Sequence, residues 1–121
     1  MAAPNLVNVS TITAKSVQAT LTTTVTTEIL ANASSSNKVF KINSIIIANI
    51  DGSSSADATV AITKSGGSPI KIASTIAVAA DSTLILIDKN SSLYLEEGDN
   101  IEAGASAASD LTITINYEEL S

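Results

Sequence analysis

The chain has 121 residues, enough for one domain built around one core. It carries six Lys, no Arg and twelve acidic residues, a net charge of -6, with no His, Cys or Trp and only three aromatic residues, Phe40, Tyr94 and Tyr117. Zinc sites of the usual kind, iron–sulfur ligation, a haem proximal histidine, a thiol nucleophile, a Ser-His-Asp triad and disulfides are thereby excluded.

Nucleic-acid binding needs clustered Lys and Arg with aromatic platforms, and scattered Lys in an acidic chain argue against it. Met1 to Ser10 has no basic n-region and no long apolar stretch, so no secretory signal is expected there. The longest apolar runs, such as Ile76 to Ala80, fall far short of the roughly 20 residues that cross a bilayer, so no membrane role is expected.

Periodicity of two dominates the chain. Leu6 to Thr13 alternates as a first strand. Ala19 to Leu30 reads as a Thr-rich strand with Leu21, Val25 and Ile29 as its apolar points. Lys38 to Asn49 begins with Phe40 and Ile42 on one face. It then becomes apolar on both faces at Ile45-Ile46-Ile47, which predicts a central strand covered on both sides, so that an aspartate at Ile46 would prevent folding. Ala58 to Lys64, Ile70 to Val78, Thr83 to Ile87 and the short Ile101 to Ala105 follow. The clearest case is Leu111 to Tyr117, where Leu111, Ile113, Ile115 and Tyr117 share one face and Thr112, Thr114 and Asn116 the other. Polar turn chemistry separates these runs: residues 32–37, 51–57, 65–69, 80–82, 88–92, 98–99 and 109–110. Ser65-Gly66-Gly67-Ser68-Pro69 is a tight hairpin candidate. About eight strands at this spacing predict an all-β antiparallel sandwich or jelly roll. Residues 1–121 form one domain, with residues 1–13 as an N-terminal arm.

Ala, Ser and Thr dominate, and small side chains bury little area each, so a lone copy has a thin core. Stability borrowed from neighbouring subunits is the expected remedy.

Three clusters invite chemistry. Asp51 to Asp57 places oxygens at alternate positions, but an EF-hand loop needs Gly at its sixth position and Glu at its twelfth, where this chain has Ala56 and Ile62. Glu96-Glu97-Gly98-Asp99 gathers three carboxylates, yet lacks the aromatic cleft of a glycosidase. It reads as a charged, solvated turn with Gly98 at positive φ. Asp81-Ser82 and Ser91-Ser92 lack a nucleophile elbow and a general base. No catalytic residue, metal ligand or cofactor is therefore assigned. Gly98 and Asp99 are structural turn residues.

The order of these segments resembles a known group. Lys38 to Asn49 is followed by Asp57 to Thr63 and by Ile76 to Leu84. Then come the Leu95-Glu96-Glu97-Gly98-Asp99 turn and the Tyr117-Glu118-Glu119 ending. Over residues 5–120 the chain is similar to small virion structural proteins of tailed bacteriophages, especially those of marine cyanobacteria. The resemblance implies a β-sandwich or jelly-roll unit that assembles on the particle, often as a homotrimer. The expected role is a capsid decoration (cement) protein that binds itself and the major capsid protein, assembled in the host cytoplasm and located in the virion. The stretch Leu6 to Ile12, with Leu6, Val7, Val9 and Ile12 as its apolar points, is the expected docking strand. A neck, tail, baseplate or fibre-attachment component is the nearest alternative. A carbohydrate-binding module comes next, resting on Tyr94 and Tyr117 alone.

Overall fold

A computed structural model of the chain describes residues 9–121. Among them there is no helix. Nine strands follow in order: β1 (Ile12–Thr20), β2 (Thr27–Ala31), β3 (Val39–Asn49), β4 (Ala56–Thr63), β5 (Ile70–Val78), β6 (Thr83–Ile87), β7 (Leu93–Leu95), β8 (Asn100–Ala105) and β9 (Leu111–Leu120). The alternation of Ile and Val with Thr and Ser explains the class, since branched side chains suit a pleated, half-buried surface.

The strands form two antiparallel sheets. One has the order β1-β9-β3-β6, with β7 also on β3; the other has the order β2-β8-β4-β5. β6 pairs with Ile45 to Ala48 of β3, and β7 pairs with Phe40 to Ile42 of the same strand. They are thus one edge strand interrupted by residues 88–92. Counted so, the chain has eight strands paired first with last, second with second-last, third with third-last and fourth with fifth. A long antiparallel ribbon, folded at the β4–β5 hairpin and wound into two layers, gives this order. It is a jelly roll.

The core lies between the sheets. Ile42, Ile45, Ile47, Ile113 and Ile115 of the first sheet meet Ala58, Val60, Ile101 and Ala103 of the second, all fully buried. Facing large side chains with alanines lets the layers approach closely, and burial of each Ile contributes roughly 1.5–3 kcal/mol. Phe40 and Tyr117 close one end of the core with ring centroids 5.1 Å apart.

Four expectations need correction. The first strand, expected at Leu6 to Thr13, runs Ile12–Thr20 instead, because its hydrogen-bonding partner β9 extends to Leu120 opposite Ile12 and back to Thr112 opposite Thr20. The run Ala19 to Leu30 is not one strand: β1 ends at Thr20, the buried Leu21 turns the chain, and β2 begins at Thr27. The loop between them crosses directly over Gly104, where a Cβ would stand 2.5 Å from the Val25 Cα. The triple isoleucine is not covered on both sides. Ile45 and Ile47 point inward, whereas Ile46 lies on the outer face beside its cross-strand partner Ile85, which is 62% exposed. The fold has two layers, so period two still assigns the faces. Leu93 to Leu95 forms a strand too short for its own periodicity to reveal.

Candidate functional site

Of the residues expected to dock a partner, Ile12 opens β1 and Val9 precedes it. Leu6 and Val7 lie outside the described residues. Val9 is half-buried and Ile12 is 63% exposed. The backbone N–H groups of Ser10 and Thr11 donate to the Ser121 carbonyl at 2.8 and 2.9 Å, and Thr11 accepts from Ser121 N–H at 2.9 Å. The segment therefore joins the fold through the chain's last residue.

The carboxylate turn is organised differently from a solvated loop. Gly98 has φ +86°, and a Cβ there would stand 2.7 Å from the Ser65 side chain. Glu96 stays exposed, but Asp99 is buried, with 2% of its surface open. Its Oδ1 accepts from Ser65 N–H at 3.0 Å, and its Oδ2 accepts from Glu96 N–H at 2.9 Å and from Lys64 Nζ. Lys64 also reaches Glu96 Oε2 at 3.0 Å. The Asp99 hydrogen bond, and behind it Glu96, hold the Lys64 ammonium above its ordinary range. A carboxylate so fully occupied by donors ties loops together.

Asn32 completes this end of the sandwich. Its Nδ2 donates to the carbonyls of Lys38 (2.8 Å) and Leu95 (3.1 Å), and its Oδ1 accepts from Ser36 Oγ. Its backbone exchanges bonds with the carboxylate turn, Asn32 N–H to the Asp99 carbonyl at 2.9 Å and Gly98 N–H to the Asn32 carbonyl at 2.8 Å. Three loops that follow β2, β4 and β7 are thereby held in one network. Nothing in the local sequence of Asn32 distinguishes it from the exposed Asn37 five positions later, so sequence reasoning missed it.

A second ionic group sits at the same end. Glu119 on β9 accepts from Lys15 Nζ of β1 and Lys38 Nζ, each at 3.1 Å. Burial alone would push the Glu119 carboxyl up, but the two lysine hydrogen bonds outweigh it and hold it below its ordinary value of 4.5. The same contact raises Lys15. Burial likewise raises the Tyr117 hydroxyl.

No family model matches this sequence, and none of the curated proteins does.

Among the described residues, shallow, open hollows lie on the outer face of the first sheet. One lies among Ala14, Ser16, Asn43 and Asn116; another lies among Gln18, Thr20, Thr112 and Thr114. The second is lined by small uncharged side chains alone, whereas Lys15 and Glu118 also border the first. Among the described residues no group of three His, Cys, Asp or Glu side chains could hold a metal ion, and no helix is long and apolar enough to cross a membrane. Large apolar side chains, by contrast, stand open on strands and loops: Ile12, Ile50, Ile70 and Ile85 are each 60–66% exposed.

Proposed function

We propose that this chain is a structural protein of a tailed-phage virion, a capsid decoration (cement) protein that bridges and stabilises major-capsid subunits and carries out no catalysis. The observation that carries this reading is the set of isoleucines open to solvent, Ile12, Ile50, Ile70 and Ile85. They are spread around the sandwich instead of lining one cleft. Such side chains are stabilised when a neighbour covers them, which is what a subunit of a shell obtains from adjacent molecules. The jelly-roll winding supports the same role, since this architecture serves capsid shells and lectins alike.

The N-terminal stretch ending at Ile12 would add to a capsid subunit as an extra strand, with main-chain hydrogen bonds for affinity and alternate apolar side chains for register. Because Ser10 and Thr11 bond to Ser121, the clean test removes residues 2–9. The truncated protein should keep its melting temperature and lose binding to phage heads. Full decoration by the truncated protein would remove the docking role. Location is tested by copy number in an electron-microscopy map of the particle. Hundreds of copies on the head shell are expected; a few to a few dozen at the neck or tail would move the chain to the alternative virion role.

The lectin reading has one foothold. Tyr94 is 45% exposed beside Lys41 on the outer sheet face, while Tyr117 is buried against Phe40. One tyrosine is half of the platform that reading required. Binding on a glycan array would revive it.

A further inference from the structure

Each sheet of the sandwich has two edges, and three of the four carry devices that discourage pairing with another chain. β2 has five residues and a register shift between Glu28 and Leu30. β5 meets β4 with two register shifts, and Thr75 within it has φ +49°. The β6–β7 edge is broken by residues 88–92 and shifts register between Ile45 and Ile46 of its partner. Bulges, breaks and shortness are the usual means of blunting an edge.

β1 has none of them. Its nine residues pair with β9 in continuous register from Ile12–Leu120 to Thr20–Thr112. It is exposed along almost its whole length, and among the described residues nothing pairs with its outer side. Its one charged residue, Lys15, would normally guard such an edge, but its ammonium is drawn onto Glu119 of the same chain. We infer that β1 is an assembly edge, and that its partner is β1 of a second copy, running antiparallel about a two-fold axis at Ser16.

The register follows from the hydrogen bonds. Thr11 and Ser121 exchange both of their backbone bonds, so the odd-numbered residues of β1 point N–H and C=O toward β9. The even-numbered residues Ile12, Ala14, Ser16, Gln18 and Thr20 aim theirs outward. A two-fold axis normal to the sheet keeps like faces together, so even must meet even. Centring on Ser16 sets Ile12 against Thr20, Ala14 against Gln18 and Ser16 against itself, and uses every outward group. It also places Lys15 opposite Val17. Centring on Lys15 would oppose two ammonium groups.

The choice of a second copy rests on self-complementarity. In a chain of net charge -6, Ile12 to Thr20 holds no acid, so no carboxylates oppose each other when two copies of this edge meet. The outer-face side chains Ala14, Ser16 and Gln18 are small or uncharged and let the sheet continue flat across the axis. The result is one continuous sheet through two molecules. This contact closes on two copies, so a trimer would have to use another face. The inference stands apart from the virion role, because it concerns the isolated protein.

Sedimentation of the purified chain over a concentration series tests it. The expected mass is twice that of one chain. Ser16→Pro removes an outward N–H while leaving the β1–β9 ladder intact, and proline is tolerated on an edge in that orientation. It should give the single-chain mass with an unchanged β-sheet spectrum. Ser16→Cys provides a milder check in a protein without cysteine. Cα atoms in a directly bonded antiparallel pair stand about 5.5 Å apart, within disulfide reach. Oxidation should therefore link Ser16→Cys molecules in pairs, and Ala14→Cys molecules should stay unlinked. A monomer at every concentration, an odd-numbered oligomer, a dimer unmoved by Ser16→Pro, or linking at position 14 and not at 16 would each overturn the proposal. A monomer that pairs only with a foreign strand would assign this edge to a different protein.

Discussion

The two ends of the sandwich solve one problem with unequal means. At each end a buried asparagine ties loops to the core. Asn49 donates Nδ2 to the carbonyls of Ser54 (3.0 Å) and Val78 (2.9 Å), and its Oδ1 accepts from Asp51 N–H at 2.9 Å. Asn32 does the same work at the opposite end. A planar amide can bridge two carbonyls and accept a third bond, which is what converging loop backbones require. Among the described residues only the Asn32 end adds ion pairs, through Asp99 with Lys64 and Glu119 with Lys15 and Lys38. At the Asn49 end the carboxylate of Asp51 is held low chiefly by Ser53, first through its backbone N–H and then through its hydroxyl, and less by the Ser54 N–H. Neutral bridges suffice to shape loops; the ion pairs make the Asn32 end more sensitive to the loss of a single side chain.

The largest expected effect comes from removing the charge. Asp99→Ala orphans the N–H groups of Ser65 and Glu96 and should destabilise the fold by about 3 kcal/mol, measured by urea unfolding. Lys64 is half exposed and regains water, which keeps the loss from being larger. Asn49→Ala should cost about 2 kcal/mol, since it orphans the part-buried Asp51 N–H and the carbonyls of Ser54 and Val78. Equal losses at the two positions would erase the contrast between the ends. Gly98→Val should cost about 2 kcal/mol or more, because a branched side chain meets both a positive φ and Ser65. An unchanged melting temperature would show that the turn can relocate.

The smallest effect concerns pH. The folded Glu119 carboxyl lies below its ordinary 4.5, so its contribution is present above that value and is lost as pH falls through the depressed one. Glu119→Gln should flatten the acid limb of a melting-temperature profile by less than about 1 kcal/mol, since both lysines are largely exposed. The same substitution releases Lys15 to guard the β1 edge, so it should also weaken self-association.

How much of this could be read in advance depends on the residue. Ile113 and Ile115 announced their burial, because alternation is a local property and Thr112 and Thr114 stand between them. Gly98 announced a turn. Asp99 beside it did not announce that it is buried, since Ser65 stands 34 positions away. Ile46 carried the same local signal as Ile45 and Ile47. Its placement on an outer face follows from the fold having two layers, so Ile46→Asp should be tolerated far better than Ile45→Asp.

By itself the sequence determined an all-β chain, the positions of most turns and the inward residues of the cleanly alternating strands such as β9, because a period of two and a glycine's freedom act over a few residues. The tertiary structure alone decided the winding order of the strands, the conversion of the loop residues Asn32 and Asp99 and of Asn49 at the end of β3 into internal ties, and the plainness of the β1 edge. Each of these depends on which distant backbone groups arrive beside a given side chain, and only the closed pairing of two sheets specifies that.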